Sequence, residues 1–114
     1  MSYKRGDVIL VRFPNSDFKT FKKRPVLVVQ ADDLETGLRQ RLVASITSNL
    51  NRTGATRVLI LKDSSEGQQM GLASDSVVVA DNLATVLDRE VDRVIGTCPV
   101  MDQVDAALKI ALGL

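Results

Sequence analysis

Histidine and tryptophan are absent from this 114-residue chain, and cysteine occurs once, at Cys98. A single cysteine excludes an intramolecular disulfide and a sulfur-rich zinc site. Without histidine there is no Ser-His-Asp or Cys-His nucleophile, no imidazole metal ligand, and none of the paired-histidine acid–base chemistry that many ribonucleases use. Any catalysis has to run on Arg, Lys, Asp, Glu, Ser, Thr or Tyr. Aromatic residues are few and confined to one end: Tyr3, Phe13, Phe18 and Phe21 are the whole set. No apolar run approaches the roughly 20 residues needed to cross a bilayer, and the first residues, MSYKRGD, lack the apolar stretch of a secretory signal. The expectation is a soluble, cytoplasmic protein with no membrane partner.

What is present suits one small domain spanning residues 1–114. A hydrophobic content of 45% supports one core at this length. The net charge of +1 hides an uneven distribution. Residues 1–57 carry eleven Lys or Arg against five acids, whereas residues 58–114 carry four against nine. A face built mainly from the first half could therefore meet a polyanion.

Several short segments rich in β-branched residues read as strands. These are 7–13 (DVILVRF), 24–30 (RPVLVVQ), 41–47 (RLVASIT), 56–61 (TRVLIL), 76–80 (SVVVA) and 93–97 (RVIGT). The second is apolar almost throughout, which predicts cover on both of its faces. Pro25 cannot donate to a ladder and so belongs at the start of that strand or at an edge. Five to six short strands joined by turns predict a compact barrel or sandwich. From Pro99 onward Val100, Met101, Val104, Ala107, Leu108, Ala111 and Leu112 recur at helical spacing, with Asp102 and Asp105 near the start and Gly113 at the stop. The pattern predicts one amphipathic helix of roughly three to four turns, opened by Pro99, packed on the barrel or on a partner.

Residues 14–23 form a basic, aromatic loop, with Lys19, Lys22 and Lys23 interleaved with Phe18 and Phe21. Cations for a phosphate backbone and flat faces for bases are what a single-stranded RNA groove requires. Phe13 is expected in the core and one of Phe18 and Phe21 at the surface. Arg24 offers the planar fork that suits phosphate oxygens. Cys98, just before the helix, reads as a small buried apolar residue.

Taken in order, KRGDV at 4–8, RPVLVV at 24–29, ITSN at 46–49, VVADN at 78–82 and the ending VDAALKIALGL at 104–114 resemble the MazF/PemK toxins. The turn FPNSD at 13–17, followed by KKRP at 22–25, is most similar to a PemK-like branch. The resemblance implies a mainly β fold, an SH3-like barrel of the MazF, Kid and CcdB type, with a C-terminal helix. It also implies a homodimer, sequence-selective cleavage of single-stranded messenger RNA without metal or other cofactor, and inhibition by a cognate antitoxin whose acidic segment would cover Arg24. Cleavage of this kind needs an activated 2′-hydroxyl, neutralised charge on phosphorus and a protonated 5′-oxygen.

On that resemblance Arg24 and Thr47 are the leading catalytic candidates, with Asp17 and Asp81 as candidate acid or base. Lys19, Phe21, Lys22, Lys23, Ser48 and Asn49 are candidates for contacting RNA. Two departures weaken a direct transfer of chemistry. Some relatives place a glutamate where this chain has Lys19, and some place an arginine where it has Val79. A non-enzymatic poison of DNA gyrase, on the CcdB-like version of the fold, is the alternative, since fold alone does not settle function. A peptide-binding SH3-like module ranks below both, because it leaves the basic loop unexplained.

Overall fold

The computed structural model describes residues 3–14, 17 and 19–114 of the chain, with the side chain of Pro14 outside that description. The β-branched segments do become strands: β1 (Asp7–Pro14), β2 (Phe21–Val28), β3 (Gln40–Thr47), β4 (Arg57–Ile60), β5 (Ser76–Leu87) and β6 (Val91–Thr97). Among the described residues they form one antiparallel sheet in the order β4-β5-β3-β2-β1-β6. The two edges, β4 and β6, are not paired with each other, so the hydrogen-bonded sheet stays open where the expected barrel would close.

A helix absent from the sequence expectation fills that opening. Helix α1 (Ser65–Met70) starts on Ser64, whose hydroxyl accepts from the Gly67 N–H, and ends on Gly71 in the left-handed conformation, φ 69°. Its backbone lies against β6 at one edge and against the segment that leaves β4 at the other. A Cβ placed on Gly67 would sit 2.1 Å from the Leu61 carbonyl oxygen just past β4, and one on Gly96 of β6 would sit 2.4 Å from the Gln69 oxygen. Met70, fully buried, plugs the space between.

The alternation of the strands divides the core in two. Val8, Leu27, Val29, Ala44, Val58, Ile60, Val78 and Ala80 form one layer, covered by Met70 of α1 and by Val104 and Ala107 of α2 (Met101–Leu112). Ile9, Val11, Val26, Val28, Val43, Val86 and Val91 form the other, closed by Tyr3 and bordered by Phe13. The prediction that β2 is covered on both faces holds over its second half. Helix α2 starts at Met101 rather than at Pro99, with Val100 giving no side-chain cap, and it stops at Gly113, φ 72°. Arg5 ties this helix down by pairing with Asp105 while its Nε donates to the Val29 carbonyl at 3.0 Å.

Two strands run three or more residues beyond the sequence reading. β2 begins at Phe21, because Phe21, Lys22, Lys23 and Arg24 pair with Pro14, Phe13, Arg12 and Val11. Lys22 and Lys23, assigned to a loop, therefore stand on an exposed ribbon, while Lys19 stays in the turn before it. β5 continues to Leu87 through a three-residue interruption: Ala44 pairs with Leu83, but the next residue, Ser45, pairs with Val79. Residues 80–82 are extra on the β5 side, and such a bulge bends the strand and re-aims its side chains. No helix among the described residues is long and apolar enough to cross a membrane.

Candidate functional site

Pro25 creates the opening on which the site is built. The Val29 N–H donates to the Leu42 carbonyl of β3, so by strand alternation the donors facing β3 are those of residues 29, 27 and 25. Proline has none. Pairing of β2 with β3 accordingly stops at Val26 opposite Ser45, although β2 itself continues on β1. Pro25 is thus interior to its strand, and its missing donor falls where the neighbouring strand parts from it. Extending the register two positions brings Arg24 level with Thr47, with no ladder between them.

The parted strands hold a cleft of about 370 Å³ lined by Phe13, Arg24, Val26, Ser45, Thr47, Arg52, Val79 and Asn82, besides Pro25 and Ile46. A smaller hollow of about 160 Å³ shares Arg24, Pro25, Ile46 and Thr47 with it and adds Lys22, Lys23, Ser48, Ser74 and Ser76. No carboxylate lines either. Among the described residues neither the Arg24 nor the Arg52 guanidinium has an ion-pair or hydrogen-bond partner. Lys23, about half exposed, reaches the partly buried Asp92 at 3.3 Å. Cations without acids in a concave, partly apolar site favour a polyanion.

Thr47 is oriented by its own turn. Its hydroxyl oxygen accepts the Asn49 N–H at 3.1 Å, so its proton remains free to be donated into the cleft. The Asn49 side-chain oxygen accepts from Asn51 and is engaged in the same turn. Ser48 is exposed on the smaller hollow.

The two candidate carboxylates stand elsewhere. Asp17 accepts the backbone N–H groups of Lys19 at 2.9 Å and Thr20 at 3.1 Å, and the Thr20 hydroxyl as well. Those bonds, Lys19 first, hold its carboxyl below the usual aspartate value. Asp81 is gripped by both Nε and Nη2 of Arg57, at 3.2 and 3.0 Å, and by the Thr56 hydroxyl. Partial desolvation pulls its carboxyl up, but the Arg57 and Thr56 hydrogen bonds and the Arg57 charge outweigh it and leave it low.

The bulge explains the displacement of Asp81. Alternation from Val79 would aim residue 81 into the cleft; the extra residues deliver Asn82 there instead. The guanidinium beside Asp81 comes from Arg57, the register partner of Val79. A carboxyl held low contributes stability that is complete above the unfolded value of about 3.9 and is lost as pH falls through the folded one. NMR titration of the side-chain carbons should give midpoints below about 3.9 for both aspartates; a midpoint near neutrality for Asp81 would restore it as a general acid.

Lys19 and the 66%-exposed Phe21 lie on the ribbon side and line neither hollow. Phe13 is partly buried at the cleft rim rather than central in the core, and Phe18 lies outside the described residues. Sequence reasoning did not assign Arg52, Ser45 or Asn82 to the site. Only Asn82 left a trace, as the neighbour of Asp81.

Comparison with known proteins decides the family. The model of the PemK-like, MazF-like toxins of type II toxin–antitoxin systems matches residues 4–112. The chain belongs to this family. No curated protein matches it. Solved MazF-type structures share its fold. A mycobacterial endoribonuclease in complex with its cognate antitoxin is 24% identical, with a TM-score of 0.75 and coverage of 99% of this chain and 97% of that one. The Mycobacterium tuberculosis toxin MazF-mt6 is 26% identical, with a TM-score of 0.73 over 95% of this chain and 97% of that one. MazF in its MazE complex from Deinococcus radiodurans is 18% identical, with a TM-score of 0.72, covering 100% of this chain and 99% of that one. The MazF-like architecture is thus mainly β with a C-terminal helix, as the sequence predicted.

Proposed function

We propose that this toxin is a homodimeric endoribonuclease that cuts single-stranded messenger RNA sequence-selectively and without metal, and that a cognate antitoxin inhibits it. The observation that carries the reading is the acid-free cleft in which Arg24 and Thr47 stand level on parted strands. Attack by the 2′-oxygen on phosphorus forms the 2′,3′-cyclic phosphate, the bond to the 5′-oxygen breaks, and the proton lost from the 2′-hydroxyl is balanced by one gained at the 5′-oxygen. Arg24 neutralises the charge that builds on the phosphoryl oxygens. Thr47 donates its free hydroxyl proton to the same group. Lys22, Lys23, Ser48 and Asn49 line the path of the strand, with Phe21 of the ribbon and Lys19 of the turn before it meeting flanking nucleotides.

Purified protein incubated with a long single-stranded RNA in EDTA should give discrete cuts, each leaving a 5′-hydroxyl end. Intact RNA, with activity controls passing, would sink this reading and favour a gyrase-binding poison.

A further inference from the structure

Arg52 belongs to the turn between β3 and β4, which internal hydrogen bonds hold in place. The Arg52 N–H donates to the Asn49 carbonyl at 3.2 Å, and the Asn51 N–H to the Asn49 side chain at 3.1 Å. On the far side Arg57 donates Nη1 to the Thr53 carbonyl, the residue next to Arg52, at 2.8 Å, and its N–H to the Gly54 carbonyl at 3.1 Å. The same Arg57 guanidinium is the one that Asp81 grips with both oxygens. A chain of bonds thus runs from Asp81 through Arg57 to the backbone that carries Arg52, and Arg52 lines the same cleft as Arg24, its guanidinium without a partner among the described residues.

We infer that Arg52 is a second phosphate-binding residue, engaging a phosphate beside the one at Arg24, and that Asp81 is a positioning residue that braces the Arg52 turn through Arg57. The inference rests on the ribonuclease reading and adds to it. Two separated guanidinium forks fix the direction and register of a flexible strand in a way that one cannot, since each is a planar donor set matched to a phosphate. The brace also gives the Asp81 carboxylate a task that needs it ionised and away from the scissile bond.

The test uses a short RNA spanning a mapped cut, made uncleavable by a single 2′-deoxy nucleotide, with binding measured as a function of salt. Arg52→Ala should weaken binding about tenfold and lower the slope of log affinity against log salt by about 0.7, the value of one released counterion on a single strand. Arg52→Lys should keep the slope. Asp81→Asn and Arg57→Lys should each weaken binding in the native background and add nothing in the Arg52→Ala background, because both act through Arg52. Wild-type affinity and slope in Arg52→Ala would overturn the clamp while leaving the ribonuclease intact. Additive losses, or a limb of the pH–rate profile missing in Asp81→Asn, would overturn the brace. Failure of the wild-type protein to hold RNA at all would instead overturn the ribonuclease reading, and the clamp with it.

Discussion

Arg24→Ala is expected to lower the rate of RNA cleavage about 10²–10³-fold while leaving the fold intact, the loss seen when a donor aimed at developing oxyanion charge is removed. The side chain is exposed and supports no ion pair or hydrogen bond among the described residues, so its removal leaves nothing buried and unsatisfied. The effect should fall on the chemical step more than on binding. Arg52, Lys22 and Lys23 still present cations to the strand in the same two hollows. Arg24→Lys should recover little, because an ammonium is a point charge and cannot span two phosphoryl oxygens as a fork does. Single-turnover cleavage with saturating RNA checks both variants, with thermal melting as the control for folding. Cleavage by Arg24→Ala at the native rate would remove the residue from the mechanism.

That Arg24 could be singled out before the structure owes more to the family resemblance than to the residue's own surroundings in the sequence. Strand existence was legible in runs such as VVV at 77–79, where β-branched side chains leave few alternatives. Strand extent was not. β2 reaches back to Phe21 because β1 offers it a partner, a long-range fact that a lysine-rich segment does not display. β5 runs on to Leu87 because β3 pairs with it past the bulge. The bulge itself, signalled by nothing in ADN at 80–82, decides that Asn82 and not Asp81 enters the cleft. Helix α1 escaped notice because SEGQQM has one apolar residue and less than two turns, too little for a period to register. Its start signal, Ser64 three residues before Gly67, was present but has no force without that period. The juxtaposition of Arg24 and Thr47 follows from a register fixed elsewhere, at residues 26–28 of β2 and 43–45 of β3.

The second large effect is on stability and concerns the contact by which α1 fills the open side of the sheet. Gly71 has φ 69°, and a Cβ built on it would lie 2.2 Å from the Ile95 carbonyl oxygen of β6. The obstacle is strand backbone, which cannot swing aside like a side chain. Alanine there combines left-handed strain of about 1–2 kcal/mol with overpacking of about 1–3 kcal/mol, so Gly71→Ala should cost about 2–5 kcal/mol. At about 4–8 °C per kcal/mol for a domain near 100 residues, the melting temperature should fall by about 8 °C or more. Gly113→Ala separates the two causes, since Gly113 has nearly the same φ, 72°, and nothing within 4 Å of its Cβ position. It should show the strain alone and lose about 1–2 kcal/mol at most. Gly96→Ala supplies the converse, a collision without a positive φ, because its Cβ would lie 2.4 Å from both the Gln69 oxygen and the Met70 carbonyl carbon. If Gly71→Ala and Gly96→Ala both melt well below Gly113→Ala, the helix is seated on β6 by direct backbone contact, and that contact takes the place of the missing ladder between β4 and β6. If all three melt together, α1 is a loose cover, and the open edges must be held by the strands and α2 alone.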